Sequence, residues 1–348
     1  MDGEAACDAG CTKEGIKLMR RAIDMEAGLD QEEWPEWAQH LRTGLERLAK
    51  HPPPHAIADV DLKGLPIDAE QSDLIARRYA EQHFVVLDNA IPSALCDQAL
   101  SEIAREDIVE GGLELSTVYA STSPTAVSVA LPERRSDRIR YLSLGEEGAA
   151  ERWAAVSEAV TCMDGIAKAL KDRLPDELGD IVARQRPMVS AYDEGAKFER
   201  HCDNHCSAGA NGEEADGEDD DDPDGYDPAL GYCANRRRLS AVLYCVPEDW
   251  SVKHGGTLRV YKPIAETGGW EGDDALVDVV PRRARLIFFA SDQRCPHEVL
   301  PVCGKGVVRY ALALWFLAPP ASPEPHEGKI GPMREARESA TSVIAQLD

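Results

Sequence analysis

Nothing in the 348-residue sequence approaches the roughly 18 consecutive apolar residues that a membrane-spanning helix needs. The longest apolar stretches, 241–246 and 311–318, are the size of β-strands, so no membrane is expected as a partner. Basic residues are scarce as well: 38 Lys and Arg stand against 63 Asp and Glu, a formal charge of −25. A field of that sign repels phosphate backbones, which argues against nucleic acid and leaves neutral or basic substrates as those electrostatics would steer. The opening MDGEAACDAGCTKEGIKLMRR carries charges throughout and has no apolar core of the kind a secretory leader needs. The 10 cysteines are scattered, so reduced thiols in the cytoplasm or nucleus are expected rather than a disulfide framework. What is present is an ordinary globular share of hydrophobic residues, 43%. That composition builds a core, and the length allows about two domains or one large domain with appendages.

Residues 1–50 read as a helical N-terminal arm. Ile16, Met19 and Ile23 form one apolar stripe at helical spacing; Trp34, Trp37, Leu41, Leu45 and Leu48 form another, with a break expected near Gly28 and Pro35. A packing or interaction role suits this arm better than a catalytic one. A Pro-rich linker over 51–67 begins His51-Pro52-Pro53-Pro54-His55, where three prolines stop any helix. One domain is expected over 68–320, and a tail over 321–348 carries no readable signal. Within the domain, helices are predicted over 69–81, 93–105 (after Ile91-Pro92) and 151–173, with a strand over 83–87. From Ile181 onward the pattern becomes short β-rich runs divided by turn residues: 188–192, 239–245, 257–261, 275–280, 285–289, 297–302 and 307–316. This predicts an α+β domain with a jelly-roll core and flanking helices. An acidic insertion over 205–237 contains EEADGEDDDDPDGYD at 213–227, which is too polar to fold alone and lacks the terminal Glu of an EF-hand loop.

The chemistry concentrates in three places. His201-Cys202-Asp203 sets two metal-capable side chains two residues apart, a spacing that puts both on one face of a strand. Ninety-four positions after Asp203, Pro296-His297-Glu298-Val299 follows the apolar strand Leu286-Ile287-Phe288-Phe289. Arg309 lies twelve residues beyond His297 and opens RYALALWF. Two imidazoles and one carboxylate make the facial triad that suits non-haem Fe(II) and leaves three coordination positions open. A 2-oxo acid needs two of them and dioxygen the third. An arginine on a neighbouring strand offers a planar cation for a distal carboxylate. Singly, His297 reads as a structural histidine and Arg309 as a surface ion pair; order, spacing and strand context together favour the metal and a dicarboxylic co-substrate. A zinc site built from His201, Cys202, Asp203, Asn204, His205 and Cys206 is disfavoured, because six consecutive residues in an extended strand cannot wrap a tetrahedral ion.

These residues resemble the Fe(II)- and 2-oxoglutarate-dependent prolyl 4-hydroxylases, and among them the hypoxia-inducible-factor prolyl hydroxylases. The resemblance runs through Met188 to Tyr192 and Arg200-His201-Cys202-Asp203-Asn204, then Arg238, Asp249-Trp250 and Gly255 to Arg259. It continues through Arg285 to Phe289, Ser291-Asp292, Pro296 to Val299 and Arg309-Tyr310-Ala311 to Trp315-Phe316, with weaker similarity back to His83–Asp88. It covers most of 75–318 and leaves out the arm, the acidic insertion and the tail. It implies a double-stranded β-helix; His201, Asp203 and His297 as iron ligands; and Arg309 on the distal carboxylate of 2-oxoglutarate. Tyr192 and Leu258 line the co-substrate pocket, and Arg238 and Trp315 meet the target peptide. Counted back from Asp249-Trp250, Cys245 stands where the family has a tyrosine beside the 2-oxoglutarate carboxylate, with Tyr244 one place earlier, a departure that bears on co-substrate affinity.

The activity implied is hydroxylation of a prolyl residue in a protein or peptide, with O2 as co-substrate, succinate and CO2 as products, and ascorbate as the reductant. Oxygen sensing depends on the affinity for O2. The acidic insertion would steer a basic target peptide. Two other readings stand beside this one. One is a 2-oxoglutarate oxygenase acting on another residue or a small molecule; the other is a jelly-roll module that binds metal without turnover. Oligomeric state is not legible.

Overall fold

The computed structural model describes residues 58–62, 66–119, 134–204, 236–267 and 275–319, with a few isolated positions outside them. The expected arm over 1–50, much of the linker over 51–67, the bulk of the acidic insertion over 205–237 and nearly all of the tail over 321–348 lie outside the described residues.

Three helices come first. Helix α1 (Ala69–Gln82) starts where Asp68 accepts a hydrogen bond from Gln71 N at 2.7 Å and the Gln71 side chain accepts from Asp68 N at 3.2 Å, a reciprocal cap. Its stripe of Ser72, Ile75, Ala76 and Tyr79 is buried, and it stops at His83 in the left-handed region, φ 63°. Helix α2 (Ser93–Ile108) buries Leu95, Cys96, Ala99 and Ile103. Helix α3 (Ala154–Arg173) buries Val156, Ala159, Val160, Met163, Ile166, Ala167 and Leu170. The expected helix over 151–173 is interrupted at Trp153, whose backbone leaves the helical region between the one-turn helix Ala149–Arg152 and α3. Glu102 on α2 then caps α3, accepting from Ala155 N at 2.9 Å and Val156 N at 3.0 Å. Two of the four orphan donors at that helix start are satisfied by a neighbouring helix.

The strands that build the core are β1 (Phe84–Asp88), β2 (Arg138–Tyr141), β3 (Met188–Tyr192), β4 (Phe198–His201), β5 (Arg237–Cys245), β6 (Leu258–Tyr261), β7 (Ala275–Val279), β8 (Leu286–Ala290), β9 (His297–Val299) and β10 (Arg309–Leu317). In the large sheet the order β1-β8-β5-β10-β3-β2 is antiparallel throughout, with a short strand, Val60–Asp61, added in parallel to β1. The small sheet has the order β7-β6-β9-β4, also antiparallel. Sequence-distant strands are neighbours, as a jelly roll requires.

Strand alternation sorts the large sheet into two faces. Leu239, Ala241, Leu243 and Cys245 of β5, with Tyr310, Leu312, Leu314 and Phe316 of β10, join the helices in one core cluster. Val86, Tyr244, Ile287, Phe289 and Ala311 from the opposite face pack with Leu258, Val260 and Val299 of the small sheet in a second. Strands covered on both sides have no reason to alternate polar and apolar residues. Accordingly all five residues of β8 and all nine of β10 are buried, each large side chain contributing about 1.5–3 kcal/mol.

The seven β-rich runs read from Met188 onward correspond to strands, with ends shifted by a residue or a few. Among the ten core strands, β2 was not anticipated, and β4 only as the strand that carries His201. In β2, RIRY, the arginines mask the pattern because they pair with buried acids near the end of α2: Arg138 with Asp107, and Arg140 with Glu106. β4, FERH, is short, and its polar residues resemble a loop. No helix among the described residues is long and apolar enough to cross a membrane.

Candidate metal and co-substrate site

β4 and β9 are neighbours in register at His201 and His297, so the two imidazoles face each other across one ladder rung. Asp203 is not on the strand: β4 ends at His201 and Asp203 sits in the bend that follows. The expectation that the two ligands share a strand face through simple alternation is therefore corrected. The bend is held by Asn204, whose backbone N donates to Ser291 O at 2.6 Å and whose side chain donates to Arg237 O at 2.7 Å. One ligand-type atom from each of His201, Asp203 and His297 lies within 4.8 Å of the others.

The surroundings set which atoms are offered. His201 Nδ1 lies 2.8 Å from Glu199 O, and His297 Nδ1 lies 2.9 Å from Cys295 O. A carbonyl only accepts, so each Nδ1 donates its proton there and Nε2 is the ring nitrogen left to face a metal. Burial, reinforced by the neighbouring His297, pushes His201 well below the usual imidazole range, so it is neutral at pH 7. Burial acts against ionisation of Asp203, but His297, Arg237, His201 and the Ser240 hydroxyl together hold its carboxyl below the usual carboxylate range. Two imidazoles, with His201 neutral, and an anionic carboxylate are a donor set for a divalent cation such as Fe(II). The His201 ring is braced by Phe198, stacked at 3.6 Å, and Arg135 lies over that same Phe198 ring at 4.4 Å. Phe289 packs edge-on against His297 at 4.6 Å.

Arg309 opens β10 directly opposite Tyr192 of β3 and is 2% exposed. Its guanidinium carbon lies 4.9 Å from the ring centroids of both Tyr192 and Tyr244. Its Nε has no hydrogen-bond partner, and among the described residues no carboxylate pairs with it. A buried cation without a counter-charge is costly, by several kcal/mol at least in order of magnitude. The geometry fits an incoming carboxylate. Gly256, at φ +66°, makes room for the arm: a Cβ there would stand 2.6 Å from Arg309 Cδ. Leu258 is 2% exposed and belongs to the same interior cluster as Tyr192 and Tyr244. Burial, with Asp137 close by, raises the Tyr192 phenol well above its ordinary value and keeps it protonated.

The tyrosine missing from position 245 is present at 244. Cys245 faces the helices, fully buried, whereas Tyr244 faces Arg309. The departure expected at Cys245 is thus a counting error of one residue, and on a strand one residue changes the face.

Arg238 also needs correction. Its guanidinium pairs with Asp180 at 2.9 Å in an exposed ion pair. Arg237 is the residue beside the triad, with Nη1 3.5 Å from Asp203 O. Its guanidinium covers the Trp315 ring at 4.1 Å and donates to Gln185 Oε1 at 3.2 and 2.9 Å. The cause is a register shift between Arg237 and Leu239, preceded by Arg236 at φ 53°, which no count along three consecutive arginines reveals. Trp315 is 7% exposed and clusters with Met188, Ala313 and Leu317, flanked by Ile139, Tyr141 and Val242. Sequence reasoning missed Arg237, Ser240, Arg135 and Phe198. Only Ser240 left a signal, since it shares a strand face with Tyr244. His205 and Cys206, weighed for zinc, lie outside the described residues.

Residues 187–317 match the family model of the 2OG-Fe(II) oxygenase superfamily. The chain is 26% identical over 266 residues to the hypoxia-inducible factor prolyl hydroxylase of Caenorhabditis elegans, covering 73% of this chain and 30% of that protein. It is 29% identical over 226 residues to prolyl hydroxylase EGLN3 of Homo sapiens, covering 63% and 76%. The match thus spans under a third of the worm protein's length. Among solved structures, a prolyl hydroxylase from Trichoplax adhaerens in complex with a hypoxia inducible factor peptide fragment superposes with TM-score 0.50 and 22% identity, covering 72% of this chain and 90% of that one. A likeness at that identity speaks for the fold. Matched segment, interior jelly roll and donor set agree: residues 187–317 form a 2OG-Fe(II) oxygenase domain, the dioxygenase class that uses Fe(II), 2-oxoglutarate and O2.

Proposed function

We propose that the chain hydroxylates a prolyl residue of a protein or peptide, consuming 2-oxoglutarate and O2 and releasing succinate and CO2. The observation that carries this reading is the pairing of the His201–Asp203–His297 triad with Arg309, a buried guanidinium with no carboxylate partner among the described residues. His201, Asp203 and His297 would hold Fe(II). Bound there, the iron couples oxidative decarboxylation of the 2-oxo acid to oxidation of a C–H bond. Arg309 binds the distal carboxylate, with the Tyr244 hydroxyl beside it and Tyr192 and Leu258 as walls. The apolar interior around Phe289, Val302 and Ala311 keeps water out of the co-substrate pocket.

A peptide is favoured over a small molecule by the surface beside the triad. Half-buried Tyr141, 6.3 Å from Trp315, offers an aromatic ring of the kind on which prolines pack, backed by the buried Trp315 and Met188. Arg237 covers one ring and Arg186 lies 5.9 Å over the other. Despite the acidic composition of the whole chain, two guanidinium groups stand here, so the peptide residues they meet are neutral or acidic. The names of the worm and human relatives point the same way. Ascorbate as reductant and a cytoplasmic or nuclear location belong to the same proposal; an oxygen-sensing role would show as a KM for O2 above ambient tissue levels.

The test is succinate formation from 2-oxoglutarate with Fe(II), ascorbate and air, with and without proline-containing peptides, and mass spectrometry of the peptides. Turnover stimulated by a peptide that gains one oxygen, and lost in His297→Ala and Arg309→Ala, is the expected result. Turnover indifferent to every peptide, or oxygen found on a residue other than proline, would move the assignment to another oxygenase substrate.

A further inference from the structure

Asp203 has two carboxylate oxygens, and the protein treats them differently. Oδ2 accepts a hydrogen bond from Ser240 Oγ at 2.6 Å, while Oδ1 faces His201 Nε2 at 3.8 Å. Ser240 is 1% exposed and lies on the inner face of β5, in line with Val242 and Tyr244. Its Oγ is 2.8 Å from the Oγ of Ser291, which is 0% exposed. Direction follows from counting protons. A serine hydroxyl has one, Ser240 gives it to a carboxylate that only accepts, and so Ser291 must donate to Ser240. The chain runs Ser291 to Ser240 to Asp203 Oδ2. Two main-chain bonds anchor its starting residue: Ser291 O accepts from Asn204 N at 2.6 Å, and Ser291 N donates to Arg238 O at 3.1 Å. Ser240, backed by Ser291 from a separate element, holds one carboxylate oxygen, while the other faces His201 Nε2 at 3.8 Å with Arg237 Nη1 at 4.0 Å.

We propose that Ser240, backed by Ser291, is a positioning residue that commits Asp203 to bind the metal through Oδ1 alone. The inference rests on the oxygenase reading above. A carboxylate free to rotate can offer both oxygens to one ion and occupy an extra coordination position. An oxygenase of this class has none to spare, since the co-substrate needs two open positions and dioxygen one. By fixing Oδ2, Ser240 keeps the ligand set at three.

The experiment measures Mn(II) affinity of the metal-free full chain by titration, and the visible spectrum of the Co(II) form. Wild type, Ser240→Ala, Ser240→Thr, Ser291→Ala and His297→Ala are compared, with thermal melting of each metal-free protein alongside. Removing a group that orients a metal ligand weakens metal binding about 10- to 100-fold, and that loss is expected for Ser240→Ala together with a changed Co(II) spectrum. Ser240→Thr keeps the hydroxyl and restores both readouts, which a packing role would not predict. Ser291→Ala shows an intermediate loss. Wild-type affinity and an unchanged Co(II) spectrum in Ser240→Ala, with binding lost in His297→Ala, would overturn the clamp while leaving the site intact. Mn(II) binding that survives His297→Ala would overturn the site and the clamp together. If Ser240→Ala does not fold, Ser291→Ala decides: unchanged binding there overturns the relay, and weakened binding supports it.

Discussion

On β5 and β10, residues one apart in sequence face opposite sides of the large sheet, and the two sides differ in kind. Toward the helices stand Leu239, Ala241, Leu243 and Cys245 against Leu312, Leu314 and Phe316, an apolar layer without charges. Toward the small sheet stand Ser240, Tyr244 and Arg309, all buried and all polar at their tips. The first face gains its stability from transfer of apolar surface. Ser240 finds its partners within the chain, but the Tyr244 hydroxyl and Arg309 Nε have none among the described residues, and the second face spends part of that stability on them. Neighbouring residues therefore carry separable duties, and substitutions can tell them apart.

The sharpest break is expected between Arg309 and Leu312. Arg309→Leu should raise the KM for 2-oxoglutarate by about 30-fold or more, as loss of one partner of a buried charge pair costs about 2–5 kcal/mol, while thermal stability holds or rises. Leu312→Ala should cost about 2–5 kcal/mol of unfolding free energy, read by urea titration, and leave the KM of the folded enzyme unchanged. If Arg309→Leu instead melted the domain and spared the KM, the division of faces would be wrong.

A smaller contrast concerns the adjacent pair Tyr244 and Cys245. Tyr244→Phe should raise the KM for 2-oxoglutarate by about 5- to 10-fold, the worth of one hydrogen bond of about 1–1.5 kcal/mol. Cys245→Tyr should bring no gain in affinity and should destabilise by about 1–3 kcal/mol or more, because it overpacks the helix face. Steady-state kinetics beside thermal melts separates the two. The mildest contrast is at the mouth. Arg237→Ala removes a cation held over Trp315 and should raise the peptide KM by several-fold, for a stacking worth about 0.5–2 kcal/mol. Arg238→Ala breaks only an exposed pair with Asp180 and should shift peptide KM by less than twofold, since such pairs contribute about 0–1 kcal/mol.

Why some of these assignments were legible from the residues alone, and others not, follows from the same geometry. β8 and β10 announce themselves because strands covered on both sides must be apolar throughout. Helices α1 to α3 show the stripe that packs on the sheet. His201, Asp203 and His297, which the structure brings together, could be picked out because metal chemistry demands those residue types in that order, and the resemblance led to Tyr192, whose ring lies beside Arg309. The failures occur where a count along the chain must survive an irregularity. The register shift at Arg237–Leu239 moved the choice among three arginines, and an error of one residue exchanged Tyr244 for Cys245. β2 stayed hidden because its arginines answer to Asp107 and Glu106, more than thirty positions earlier. Ser240 reaches Asp203 across 37 positions, and no local pattern encodes that meeting.

On the proposed function, the Arg309 guanidinium, with no carboxylate partner among the described residues, would also tie the folding of this domain to metabolism. A dicarboxylate that pairs with it binds the native chain and not the unfolded one, so native stability grows with the logarithm of its concentration, by about 2.7 kcal/mol at a hundredfold excess over Kd. Scarcity of the co-substrate then registers twice: once as slower turnover, and again as a larger fraction of chains open to proteolysis. The abundance of the protein would report the supply of its own co-substrate.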